Sequence, residues 1–245
     1  MKITLDSFIE INLCRFSYMD YSKPCQYSVR LIKRLKSLDT ENILDFKLID
    51  KAIYWAKKYH NGQFRKSGEP YYTHPLEVAY LVSEYNLTMN VIVTAILHDI
   101  VEDTEVTAGM IVDAFSWRIA EMVDRLTRDR PDGSKLSVEE IIILAITKDD
   151  KEVLLIKAID RLHNTKTIAY MPIHKQKKQL KHTINEFLIL FEYIELPFLI
   201  INLLKQNSSA ALSFSSPKYN RFNFSDSFPP LFLNVENEID LGHNQ

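Results

Sequence analysis

The stretch Ala95-Ile96-Leu97-His98-Asp99-Ile100-Val101-Glu102-Asp103-Thr104 sets apolar and ionisable residues side by side in one short run. Read as a helix, in which each residue turns about 100°, positions i, i+1, i+4 and i+5 fall within an arc of about 140°. His98, Asp99, Glu102 and Asp103 then share one side, and Ala95, Ile96, Leu97, Ile100 and Val101 supply the packing. Three carboxylates and an imidazole so arranged repel one another unless a cation or proton sits among them. The plain alternative is a solvated acidic helix end.

Outward from this run the helical period recurs almost without pause from Phe46 to Ile194. It predicts helices over 48–60, 76–85, 90–103, 108–115, 119–128, 138–148, 151–169 and 173–191, with one more near 28–38. Pro75 and Pro172 fall near helix starts, where a missing N–H costs nothing. Ser137 with Glu140 three residues on reads as a capping box. Arg130-Pro131-Asp132-Gly133 is a turn signal. Strand alternation is hard to find, and five glycines in 245 residues are few for an all-β chain. The expectation is an all-α protein. Residues 1–44 read as an N-terminal helical extension and 45–195 as the main domain. Residues 196–245, rich in Ser and Phe, read as a loosely ordered tail.

Composition narrows the function classes. Hydrophobic residues make up 46% and charged residues 25%, which excludes global disorder. Lys and Arg number 30 against 32 Asp and Glu, so nothing in the net charge of −2 points to nucleic acid as a partner. The apolar stretch 187–204 is interrupted by Glu192, Glu195 and Pro197, against a membrane span. Cys14 and Cys25 lack metal or redox spacing, and the expected setting is the reducing cytoplasm. Oligomeric state leaves no mark on the chain.

Two further pieces bear on the acidic run. Tyr72-Thr73-His74-Pro75 puts an imidazole at a helix start, and Ile159-Asp160-Arg161-Leu162-His163-Asn164 puts an acid in a helix rich in Leu, Ile and Ala. A carboxylate in such surroundings is expensive to bury unless paired or metal-bound; a salt bridge to Lys157 or Arg161 is the bland alternative. His74, His98, Asp99 and Asp160 form a mixed nitrogen and oxygen set suited to Mn²⁺, Fe²⁺ or Zn²⁺. Arg65 and Lys66, flanked by Gly62 and Gly68, offer charge-assisted bonds to phosphates, or are merely a solvated basic loop. Tyr54, Trp55 and Tyr59 sit at helical spacing and read as core.

In order along the chain, these motifs resemble the HD phosphohydrolase superfamily, and more narrowly the hydrolase domain of the RelA/SpoT alarmone enzymes. The resemblance rests on His60-Asn61-Gly62-Gln63-Phe64-Arg65-Lys66-Ser67-Gly68-Glu69-Pro70-Tyr71, Thr73-His74-Pro75, Leu97-His98-Asp99 with Val101-Glu102-Asp103-Thr104, and Asp160-Arg161-Leu162-His163-Asn164. It covers about residues 46–192. It implies a helical bundle with a single metal site between helices, holding one Mn²⁺ through His74, His98, Asp99 and Asp160. It further implies removal of the 3′-pyrophosphate of the guanine nucleotide (p)ppGpp, in a small, hydrolase-only form. Glu102 and Asp103 match the pair that activates water. Arg65, Lys66, Ser67, Asn164 and Thr167 match nucleotide contacts, and His60 and His163 match supporting positions. Two other readings stay open: another nucleotide substrate such as NADPH, or an alarmone-binding module with little catalysis. The sequence departs from the family at Ser116, where glycine is common, and at Lys166, where arginine is common.

Overall fold

The computed structural model describes residues 20–166, 168, 172–176, 183, 187, 190, 191 and 193–195. Residues 1–19, Thr167, most of the expected helix at 173–191 and the tail 196–245 lie outside the described residues. Among the described residues the protein is all-α, and its only extended pairings are isolated bridges at Phe64–Pro70 and Asp129–Lys135. The helices are α1 (Gln26–Leu38), α2 (Phe46–Tyr59), α3 (Thr73–Val82), α4 (Met89–Leu97), α5 (Ile100–Asp103), α6 (Ala108–Ala114), α7 (Trp117–Leu126), α8 (Val138–Thr147) and α9 (Lys151–Lys166).

Most starts are fixed by side chains that satisfy the first free N–H groups. Asp45, Thr107, Ser116 and Ser137 cap α2, α6, α7 and α8, and Ser137 forms the expected reciprocal box with Glu140. Cys25 does the same for α1, its thiol accepting from Ser28 N while the Ser28 hydroxyl accepts from Cys25 N. Ser116 thus has a local purpose. Its backbone is extended and its hydroxyl accepts from Ile119 N, so the residue caps the start of α7.

The centre of the bundle is α4, whose residues Val91 to Leu97 are all buried. A helix apolar on every side belongs inside, and α4 packs on α2, α3, α7 and α9. Helix α9 crosses α3 and lines the same centre with Val153, Leu154, Ile156, Ala158 and Ile159. Helix α1 lays Leu31 and Leu35, both fully buried, against α3. Trp55 and Tyr59 pack edge-on and Trp55 also meets Phe115, whereas Tyr54 is 37% exposed and turns to Tyr21 instead of the core.

The helix expected over 90–103 is broken. Helix α4 stops at Leu97 and α5 begins at Ile100, with Asp99 at φ −99° and ψ −3° between them. The cause is local: the His98 ring takes the Ala95 carbonyl through Nδ1 at 2.8 Å. That carbonyl would otherwise accept the N–H of Asp99. The ladder resumes with Asp103 N donating to Asp99 O at 3.0 Å. His98 and Asp99 therefore sit on a step in the backbone, in place of a continuous helical face.

Away from this step, Asp150 starts α9 by accepting from Val153 N and also receives Arg118 and Arg125. Its side chain is 2% exposed. Burial, the largest single influence, would raise its pKa, but the hydrogen bonds from Arg118 and Val153 N and the charges of Arg118 and Arg125 together outweigh it and hold the carboxyl below its ordinary value. The stabilisation is therefore full above the unfolded-state pKa and is lost as pH falls through the folded one. Asp150→Ala is expected to lower the unfolding free energy by about 2 kcal/mol at neutral pH. The gap to wild type should narrow below about pH 4, as read by urea denaturation at pH 7 and pH 3.

Candidate metal centre

Three helices deliver the cluster. His74 enters from the first turn of α3, His98 and Asp99 from the step after α4, and Asp160 from the middle of α9. One ligand atom from each of His74, His98 and Asp99 lies within 4.8 Å of the others. Asp160 Oδ1 faces both imidazoles, 3.1 Å from His74 Nε2 and 3.7 Å from His98 Nε2. His74 and His98 are 1% and 3% exposed.

The His98 ring is the most telling group. Its Nδ1 meets a backbone carbonyl, which can only accept, so Nδ1 carries a proton. Its buried Nε2 makes no aligned hydrogen bond, although Asp99 Oδ1 is 3.2 Å away. In the neutral ring that nitrogen turns a lone pair toward two carboxylates, which is unfavourable unless positive charge lies between them. Burial disfavours the charged ring, yet Asp99 and Asp160 outweigh it and push the His98 pKa up to about 10. Burial opposes the ionised forms of Asp99 and Asp160 too, but the imidazoles hold both well below the usual carboxylate range. The pocket thus demands a cation or a proton at its centre. Two imidazole nitrogens and two carboxylates fit a divalent cation, without selecting which one.

A second ring of groups orients the first. The Tyr71 hydroxyl donates to Asp99 Oδ2 at 2.9 Å and also faces Asp103; burial first, then the Asp99 charge, pushes the phenol pKa up. His60 lies against the Tyr71 ring and pairs through Nδ1 with Gln63 Oε1 at 2.8 Å. His74 Nδ1 meets His163 Nδ1 at 2.8 Å. Burial, then the charges of His74 and Arg65, push His163 down to about 2. Asn164 Nδ2 donates to Asp160 Oδ1 at 2.6 Å, and Asn164 Oδ1 accepts from Arg65 Nη2 at 2.9 Å. Lys157 Nζ lies 3.9 Å from Asp160 Oδ2, so the salt bridge considered for that acid accompanies the cluster.

Glu102 and Asp103 take different partners. Glu102 Oε2 accepts from Arg128 N at 3.1 Å, and Oε1 is 3.5 Å from Lys135 Nζ. Asp103 stays beside Tyr71, its pKa raised by burial and the Asp99 charge against the Tyr71 hydrogen bond. The loop before α3 closes with Arg65 N donating to Glu69 O and Gly68 N to Arg65 O, both 2.9 Å, with Gly68 at φ +90°. Arg65 reaches the cluster through Asn164, Ser67 Oγ donates to Glu69 Oε2 at 3.2 Å, and Lys66 is exposed. Thr167 lies outside the described residues. Tyr71 was missed as a site residue on the sequence; its closeness to His74 was the available signal. The i, i+3 and i+4 spacing of Asp160, His163 and Asn164 places all three on one face of α9.

The profile of the HD domain family matches residues 52–187, and the chain belongs to that family. A relative in Mycoplasma genitalium, named probable guanosine-3′,5′-bis(diphosphate) 3′-pyrophosphohydrolase, is 33% identical over 171 residues, covering 65% of this chain and 23% of that one. A GTP pyrophosphokinase of Myxococcus xanthus is 38% identical over 150 residues, covering 58% and 20%. The guanosine-3′,5′-bis(diphosphate) 3′-pyrophosphohydrolase of Haemophilus influenzae is 36% identical over 136 residues, covering 53% and 20%. The chain spans under a quarter of the length of these curated relatives.

A divalent cation at this cluster should stabilise the fold by about 2.7 kcal/mol at a hundredfold excess over its Kd. Thermal unfolding with and without the cation reads this as a Tm rise of several degrees, and His98→Ala is expected to remove the rise.

Proposed function

We propose that the chain is a cation-dependent phosphohydrolase, using Mn²⁺ in the cytoplasm, that removes the 3′-pyrophosphate of (p)ppGpp to give GDP or GTP and pyrophosphate. The observation that carries this reading is the meeting of buried His74, His98 and Asp160 with half-buried Asp99, with Arg65 tied to it through Asn164. The HD domain match spans all of these residues. The names of the Mycoplasma and Haemophilus relatives supply the substrate class. The pyrophosphokinase name belongs to a protein of which this chain matches a fifth.

When bound, the cation supplies Lewis acidity, making water more acidic and neutralising charge on phosphoryl oxygens. His74 and His98 would hold it through Nε2, and Asp99 and Asp160 through carboxylate oxygens. The chain's own groups then do the following. Tyr71 fixes Asp99 by hydrogen bonding to Oδ2, and Asn164 fixes Asp160 at Oδ1. Asp103, beside Tyr71 and Asp99, receives the one proton that the attacking water gives up, and Glu102 helps to position that water. Arg65 presents a planar fork to the pyrophosphate, Lys66 adds a point charge, and Ser67, Asn164 and Thr167 contact the nucleotide. The Arg65–Asn164 bond aligns the phosphate-binding loop with the metal-binding acid before substrate arrives.

Purified protein given Mn²⁺ is expected to release pyrophosphate from ppGpp, and His98→Ala or Asp160→Ala to abolish the release. Glu102→Gln and Asp103→Asn should lower kcat by about 10²–10⁴-fold. Full activity in both His98→Ala and Asp160→Ala would remove the site from the reaction. A higher kcat/KM for NADPH than for ppGpp would move the substrate and leave the chemistry in place.

A further inference from the structure

His74 and His98 are held by different kinds of partner. His98 Nδ1 meets a carbonyl oxygen, so its proton has one place to be. His74 Nδ1 meets another imidazole nitrogen, His163 Nδ1, at 2.8 Å, and either ring can be the donor. If His163 donates, His74 carries its proton on Nε2 and gives it to Asp160 Oδ1, 3.1 Å away. If His163 accepts, the His74 proton sits on Nδ1 and Nε2 turns a lone pair into the cluster. Only the second arrangement can ligate a cation at Nε2.

We propose that His163 is a positioning residue that accepts the Nδ1 proton of His74 and so commits His74 Nε2 to the cation. This rests on the cation site of the proposed function. The two rings lie 4.9 Å apart between centroids, so His163 sets the tilt of the His74 ring as well as its tautomer. His163 takes this place because it lies one turn beyond Asp160 on the same face of α9, and the helix that carries the acid therefore also carries the partner of the imidazole opposite. Partners of this kind govern metal affinity by about 10–100-fold.

The test separates acceptor from bulk. His163→Phe keeps a ring and loses the acceptor, whereas His163→Asn keeps an oxygen near the position of Nδ1 and loses the ring. The readout is the Kd of Mn²⁺ for the purified, metal-stripped full chain by calorimetry, with the Tm of the metal-free protein measured alongside. His163→Phe is expected to weaken Mn²⁺ binding about 10–100-fold, and His163→Asn to stay within about threefold of wild type. If His163→Phe does not fold, His163→Ala replaces it, since it too lacks the acceptor. Equal loss in Phe and Asn, tracking a lower Tm, would make His163 a packing residue and overturn the proposal. Wild-type affinity in the variant without an acceptor would overturn it as well. Failure of the wild-type chain to bind Mn²⁺ would overturn the cation site itself, a result distinct from both.

Discussion

His98 gives its Nδ1 proton to the Ala95 carbonyl at the end of a helix buried on every side, and its other nitrogen is thereby aimed at Asp99 and Asp160. Two carboxylates taken out of water cost several kcal/mol each before any pairing repays it. The fold tolerates that cost because α3, α4 and α9 converge there with two imidazoles, and positive charge between the acids turns a liability into a binding site. The bundle can thus be read as a frame for one point: α4 in the middle, α3 crossing it with His74, and α9 crossing both with Asp160.

The same economy extends along α9. One face of this helix supplies the acid, the partner of the facing imidazole and the amide that reaches the Arg65 loop. A slight rotation of α9 would disturb all three together. That rotation is resisted at its N-terminus, where Asp150 gathers Arg118 and Arg125 and caps the first turn. Rigidity of the site therefore depends on a salt-bridged corner that takes no part in the chemistry.

Much of this was legible in the chain. Period, caps and prolines foretold the helices, and the mixed donor set of His74, His98, Asp99 and Asp160 was visible as chemistry before it was visible as geometry. The break at His98 was not, because the hydrophobic period is indifferent to a side chain that captures its own helix carbonyl. Treating residues 90–103 as one helix put Glu102 and Asp103 on a common face. In the structure Glu102 answers to Arg128 N and Asp103 to Tyr71, and both partners come from loops distant in sequence. Tyr71 escaped notice for the same reason: its hydroxyl acquires meaning only when α3 is docked against the step after α4. Ser116 and Cys25 are the converse case, local caps whose role follows from residue type once the helix start is known.

Helix α1 lies wholly upstream of the span matched by the family, yet it is stitched to the site from two directions. Leu31 and Leu35 close the core over α3, while Tyr27 donates to Glu69 at 2.8 Å at the base of the loop that carries Arg65. Trimming a recombinant fragment to the matched span would strip the apolar cover from the helix bearing His74 and untie the arginine loop in one cut. Anyone seeking a minimal working version of this protein should keep helix α1, because the edge of the family match and the edge of the physical unit do not coincide.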